Sequence, residues 1–445
     1  MKIINSSKAK IVDCNFLVLS QTVDKYRNAV AFFVNVIDKE WNRFKELTTK
    51  ESYNLVERLT VETKKNPTPL YNLKNGFHKF PSYLRRSAIA DSYGIVSSYY
   101  SNLENYNKEK EIVLLDNKRF AKKPPKLNKW HFKCPALYEG NMYEKLDDNL
   151  VRIKVFKNND WVWQIIKLRN TDINYIKNRF SNDKVFSPIL IKKGRKFYLQ
   201  YAFEKKVILP KLKYPNTKVC SVDLGLNHSA VCSIIDSKGT VIDRLFINQP
   251  IEKDRLNRLL NRYKLKCKQG GRNNKPKIWG KINGLNTQIV NDTVNKILNF
   301  AISNNADVLV FEYLEFQGKK FGSKAIRLQL WAKRRIQEKC QHQVHNYGLH
   351  FSRVSAKNTS KLAFDGSGIV VRNSKNASLC KFKNGKEYNC DLNASYNIGA
   401  RYFIREIEKT ISEKEWLQYE AKVPCIARRT HCTLSTFKNL IVAMA

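Results

Sequence analysis

Long apolar runs are missing from this chain. Runs such as Val308 to Phe311 fall far short of the roughly 18 to 20 residues that a membrane span needs, so no spanning helix is expected. A secretory leader is not expected either, because Lys2, Lys8, Lys10 and Asp13 interrupt Met1 to Leu19. Acidic residues are scarce: 39 Asp and Glu stand against 81 Lys and Arg in 445 residues, a formal net charge of +42 with histidine neutral. Such an excess repels itself in a free monomer, so the folded state is expected to carry a bound polyanion. There is no internal repeat and no low-complexity tract.

What is present excludes a disordered polycation, since 42% of residues are hydrophobic and 11% aromatic. At about 100 to 200 residues per domain, the length allows two or three domains with cores of their own. Ten cysteines without a leader read as reduced thiols, which places the protein in the cytosol. An anionic membrane surface would call for one polybasic tail or helix, whereas here the basic residues run through the whole chain. Nucleic acid is therefore the expected partner.

Residues 1 to about 20 read as a strand and Val23 to about Leu47 as a helix, with Tyr26, Val30, Phe33, Val34, Ile37 and Trp41 at helical spacing. Further helices are expected at about 50–62 and 80–106, before a Lys- and Pro-rich stretch at 118–129. Residues 151–156, 161–168, 188–193 and 196–203 read as strands in two hairpins. The expected first half is a β-barrel of residues 1–20 and 118–208 with a helical insertion at 21–117. After a linker at 209–217 come strands at 218–225, 228–236 and 240–247, a long basic helical region at 251–305 and a buried strand at 307–313. A helix at about 323–346, a strand at 349–354 and a helix at about 392–410 follow. A three-strand meander followed by strands alternating with helices gives a mixed α/β sheet of ribonuclease H-like order. The fold class is thus α/β multidomain.

Three carboxylates stand on three separated elements. Asp223 ends an apolar strand in KVCSVDLGLNHSAVCSIID, Glu312 follows the buried run of ADVLVFEYLE, and Asp391 opens the helix of LCKFKNGKEYNCDLNASYNIGARYFI. Singly each has a bland explanation, a turn cap for Asp223 and a helix N-cap or first-turn residue for Asp391. Together they could hold two hard cations through oxygen ligands at one edge of the sheet. Two Mg²⁺ about 3.5 to 4 Å apart would orient a water in line with a phosphodiester and neutralise the leaving oxygen.

The order DLG, FEYL and DLNASYNIGA resembles the split RuvC nuclease motifs of the TnpB family, transposon-encoded RNA-guided nucleases related to compact type V CRISPR effectors. The resemblance is clearest over residues 218–404. It implies a RuvC-like nuclease domain (218–355 and 379–410), catalytic and Mg²⁺-binding roles for Asp223, Glu312 and Asp391, a guide RNA, and a double-stranded DNA target with a displaced single strand. It further implies a prokaryotic cytoplasm, with nucleoid association when DNA is bound. Relatives carry a four-cysteine zinc ribbon before the third motif. Here Leu362 and Asp365 stand where the first pair would be, and Cys380 and Cys390 lack Cys-x-x-Cys spacing, so residues 356–378 are expected to be a degenerate, zinc-free target-nucleic-acid subdomain. Cys340, His342, His345 and His350 read as scattered polar residues rather than a metal site.

Between Lys253 and Lys281, eleven Lys or Arg face one acidic residue, Asp254. Arg255, Arg258 and Arg262 share a helical face with Lys253 close by, and Lys264, Lys266, Lys268 and Arg272 continue the run. They are expected to track phosphates. Lys319, Lys320, Arg327 and Arg334 form a second basic cluster beside Glu312. Lys79, Arg85 and Arg86 stand beside Phe80, Tyr83 and Tyr93, aromatics that read mainly as core, and the tail 411–445 is expected to contact RNA or stay partly disordered. The function so read is RNA-guided, Mg²⁺-dependent DNA cutting by a single site. The competing readings are a nuclease-dead guided repressor, an unguided structure-selective nuclease and a transposase.

Overall fold

The computed structural model describes residues 1–116, 119–128, 132–212, 214–225, 228–269, 276–313, 333–373, 376 and 378–445. It is a mixed α/β protein that divides into two compact units, Lys2–Lys206 and Val207–Ala445 with Met1.

The first unit opens with β1 (Lys2–Asp13), which ends where Asn15 caps α1 (Phe16–Lys39) by accepting from the Val18 amide at 3.3 Å. The strand is therefore shorter than the sequence reading, and the helix starts seven residues earlier than Val23. α2 (Thr49–Thr60) has a reciprocal capping box of Thr48 and Glu51, and α3 (Ser82–Leu115) runs past the expected end near 106. The apolar stripe of α1 packs on α3 through Val30, Phe33 and Ile37 against Leu84, Ala88 and Ile89. Each such side chain contributes about 1.5 to 3 kcal/mol by burial.

The strands β2 (Tyr143–Lys145), β3 (Leu150–Lys157) and β4 (Asp160–Leu168) lead into α4 (Asn170–Phe180), a helix the sequence reading missed. Then come β5 (Lys184–Val185), β6 (Ile189–Lys193) and β7 (Lys196–Lys206). All seven strands form one antiparallel sheet in the order β2-β3-β4-β1-β7-β5, with β6 also on β7.

The second unit begins with β8 (Val219–Asp223), β9 (Ala230–Ile235) and β10 (Val241–Ile247). The basic helical region is two helices, α5 (Pro250–Gln269) and α6 (Pro276–Ser303). β11 (Val308–Tyr313), α7 (Lys333–Val344) and β12 (His350–Ser355) complete a five-stranded sheet of order β10-β9-β8-β11-β12. The first three strands are antiparallel, while β11 runs parallel to β8 and β12, so helices supply the crossovers. Both faces are covered, which is why β8, β9 and β11 are almost wholly apolar.

A small sheet of β13 (Val371–Arg372), β14 (Leu379–Lys381) and β15 (Glu387–Asn389) precedes α8 (Cys390–Glu408). α8 lies on the face carrying Val219, Val231, Val308 and Val310; α6 and α7 cover the opposite face at Cys220, Val222, Leu309 and Phe311. The tail is neither loose nor extended. α9 (Glu413–Lys422) and α10 (Leu434–Met444) fold back on α8, and Phe437 stacks on Phe403 with centroids 4.8 Å apart. No helix among the described residues is long and apolar enough to cross a membrane.

Candidate nuclease site

The register Phe311↔Val222 between β11 and β8 places Glu312 one step further on, level with Asp223 at the end of its strand. Side chains alternate along a strand, so Asp223 lies on the face of Val219, and Glu312 on the face of Val308 and Val310. That is the α8 face for both. They are 9% and 7% exposed, and two carboxylates so shielded are costly without a compensating charge or donor.

Asp391 reaches the same edge from α8. Asn389 caps that helix, its Oδ1 accepting from the Asp391 and Leu392 amides at 3.0 Å each, which sets Asp391 in the first turn. A Cβ on Gly225 would come within 3.1 Å of Asp391 Oδ2 and 2.8 Å of the His228 carbonyl, so the chain leaving β8 runs directly beneath the Asp391 carboxylate. The three carboxylates therefore share one end of the sheet, the C-terminal end of the parallel strands.

Glu312 and Asp391 have neighbours that the sequence did not signal. The Thr359 hydroxyl donates to Glu312 Oε1, and the Gln337 side-chain amide donates to the Glu312 carbonyl at 2.8 Å. His228 Nδ1 stands 3.7 Å from Asp391 Oδ2, is buried without a hydrogen-bond partner, and belongs to a ring set edge-on against Phe246. Arg401, 4% exposed, donates to the carbonyls of Cys432, Ser355, Lys357 and Thr430. Burial lowers its proton affinity, while Cys432 and Glu312 act in the opposite direction. Among the described residues, no three His, Cys, Asp or Glu side chains converge tightly enough to enclose a metal ion. Asp223, Glu312 and Asp391 themselves offer carboxylate oxygens, which suit hard cations such as Mg²⁺, with His228 Nδ1 beside Asp391.

The basic residues divide. Arg255, Arg258, Arg262, Lys264, Lys266 and Lys268 lie exposed along α5, and none pairs with a carboxylate among the described residues. Lys253 is half-buried and donates to Asn248 Oδ1 at 2.9 Å. Arg334 is exposed and pairs with Glu338 at 2.8 Å. Arg272, Lys319, Lys320 and Arg327 lie outside the described residues. In the first unit Lys79 pairs with Asp160 and Arg85 with Glu57, while Phe80 is buried in the core and Tyr83 and Tyr93 pack partly buried against it.

At the ribbon positions, the Leu362 carbonyl accepts from Asn393 and Asn397, and Asp365 accepts from the Ser367 amide and from Asn384. Cys380 and Cys390, distant in sequence, meet thiol to thiol in a small core with Ala363, Val370 and Phe382. Cys340 is buried in the sheet core, and His345 and His350 bond to backbone carbonyls at 3.1 and 2.7 Å, so these residues do not gather into a site.

Over 149 residues, 30% of this chain and 77% of the relative, the sequence is 31% identical to the uncharacterized protein aq_aa04 of Aquifex aeolicus (strain VF5), and the Aq_aa04 family model matches residues 5–157. The chain belongs to the Aq_aa04 family. This Aq_aa04-family chain is also 29% identical over 230 residues, 47% of its length and 74% of the relative, to the TnpB-like protein aq_aa05 of the same organism, in keeping with the TnpB resemblance of its three motifs. Among solved structures it is similar to a Cas12f1–sgRNA–target DNA complex (16% identity, 89% of this chain and 98% of that chain, TM-score 0.34). It is also similar to the mini-RNA-guided endonuclease CRISPR-Cas_phi3 (12% identity, 89% and 92%, TM-score 0.47). The family match falls within the first unit, whereas the carboxylates of this Aq_aa04-family chain lie in the second.

Proposed function

We propose that this Aq_aa04-family chain is an RNA-guided DNA endonuclease that cuts guide-matched DNA beside a short motif, using one RuvC-like site. The observation that carries the reading is the convergence of Asp223, Glu312 and Asp391 on one sheet edge from three elements. The strand order supports it, since a three-strand antiparallel meander continued by two parallel strands is the arrangement expected of a ribonuclease H-like sheet. The relative named TnpB-like supports the guided class.

In this reading residues 218–355 and 379–410 form the nuclease domain, and 356–378 a subdomain facing target nucleic acid. Residues 1–20 and 118–208 form the barrel-like domain, with 21–117 as a recognition insertion. Asp223, Glu312 and Asp391 would hold two Mg²⁺, which when bound supply an activated water and neutralise charge on the leaving oxygen. The chain itself does the orienting: β8 and β11 fix two carboxylates by strand register, and the capped first turn of α8 fixes the third. The comb of cations on α5 tracks phosphates of the guide–target duplex, where base pairing supplies the sequence information.

The test is to purify the protein with its co-expressed RNA, sequence that RNA, and offer a matching DNA duplex with Mg²⁺. Cutting that disappears in Asp223→Ala, Glu312→Gln and Asp391→Asn, with target binding retained, is the expected result. Guided binding without Mg²⁺-dependent cutting would reduce the protein to a repressor.

A further inference from the structure

We propose that Thr359 is a positioning residue for Glu312, and that it acts from a strap bolted to the helix carrying Asp391, so that one device sets the second and third carboxylates together. The inference rests on the nuclease reading and deepens it.

Strand register fixes the Glu312 backbone but not its side chain, which retains three rotatable bonds. One neighbour bonds the Glu312 backbone and another its carboxylate. Gln337, from α7, holds its carbonyl at 2.8 Å. Thr359, 2% exposed, aims its hydroxyl at Oε1. The same hydroxyl lies 3.0 Å from the Ala356 carbonyl, so its one proton has two acceptors, the Glu312 carboxyl being the nearer.

The position of Thr359 is itself enforced. Asn397 donates to the carbonyls of Thr359 at 3.0 Å and Leu362 at 2.9 Å. Asn393 donates to the Leu362 carbonyl and accepts from the Phe364 amide, both at 2.8 Å. Both asparagines are fully buried and stand one turn apart on α8, Asn393 only two residues beyond Asp391. A shift of α8 therefore moves Asp391 and, through the strap, the hydroxyl that holds Glu312. Fixing one Glu312 oxygen narrows the set of rotamers from which the carboxylate can face a cation.

The test compares Thr359→Val, which keeps shape and loses the donor, with Thr359→Ser, which keeps the donor, both in the full chain with its guide RNA. Expected for Thr359→Val is a cutting rate about 10- to 100-fold lower and a raised half-saturating Mg²⁺ concentration, with the protein folded and target affinity unchanged. Thr359→Ser should restore most of the rate. Mn²⁺ binding, followed by electron paramagnetic resonance, should weaken in the valine variant and recover in the serine variant. Equal rates and equal Mn²⁺ affinity in all three proteins would overturn the proposal, as would a valine variant that is merely less stable and is not rescued by serine. If the wild type binds Mn²⁺ but never cuts, the nuclease reading fails while the Mn²⁺ comparison still decides the role of Thr359.

Discussion

A side chain at position 225 would collide with the His228 carbonyl at 2.8 Å and crowd Asp391 at 3.1 Å. Gly225→Ala is thus expected to push Asp391 off the sheet edge, lowering the cutting rate at least tenfold at saturating target. Overpacking should cost about 1 to 3 kcal/mol, visible in chemical denaturation. A second close approach sits further along the same helix, where a Cβ on Gly399 would meet Ile235 Cδ1 at 2.6 Å; its lack of a side chain lets α8 lie low on β8 and β9. At this scale the carboxylates were legible because a charge after an apolar strand, or at a helix start, is conspicuous in a sequence. Thr359, His228 and Gln337 were not. Thr359 reaches Glu312 across 47 positions of chain, and Gln337 reaches it across 25, and no local pattern encodes a partner at such separation.

Helix α5 presents Arg255, Arg258, Arg262, Lys264, Lys266 and Lys268 exposed along its length, with Leu260 its buried side chain. Charge reversal there should change binding without changing the fold. Arg258→Glu with Arg262→Glu is expected to weaken target binding at least tenfold and to flatten the slope of log affinity against log salt by about 2, at an unchanged melting temperature. α10 behaves in the opposite way. Phe437 is fully buried against Phe403, so Phe437→Ala should cost about 3 to 5 kcal/mol in urea unfolding while leaving the α5 comb untouched. The strands and most helices of the second unit were readable from apolar runs and helical spacing. The helices of the tail were missed although the signal was present: Thr433 caps α10 in a capping box with Thr436, and Leu434, Phe437 and Leu440 recur every third residue. The missed helix α4 is short and polar, with only Ile173 and Phe180 buried, so its periodicity is faint.

A net charge of +42 over 445 residues makes the whole molecule a polyelectrolyte as well as a folded protein. Cognate RNA is expected to raise its melting temperature by several degrees in 0.1 M salt, with most of the gain gone at 1 M, as differential scanning fluorimetry would record. An unchanged melting point at low salt would argue against RNA as the stabilising polyanion. Length allowed two or three domains and the linker read at 209–217 lies close to the division between Lys206 and Val207, but the order of the seven-stranded sheet was not legible, because β1 pairs with β7 across nearly two hundred residues. Asn397 adds a last long-range tie: besides gripping the strap, its Oδ1 accepts from the Leu434 amide at 3.2 Å. All three carboxylates precede residue 392, yet the last tie on Asn397 is made only by Leu434. A polypeptide halted between 397 and 434 keeps the three acids, Thr359 and both asparagines, and loses the bond that anchors the strap's holder to the tail.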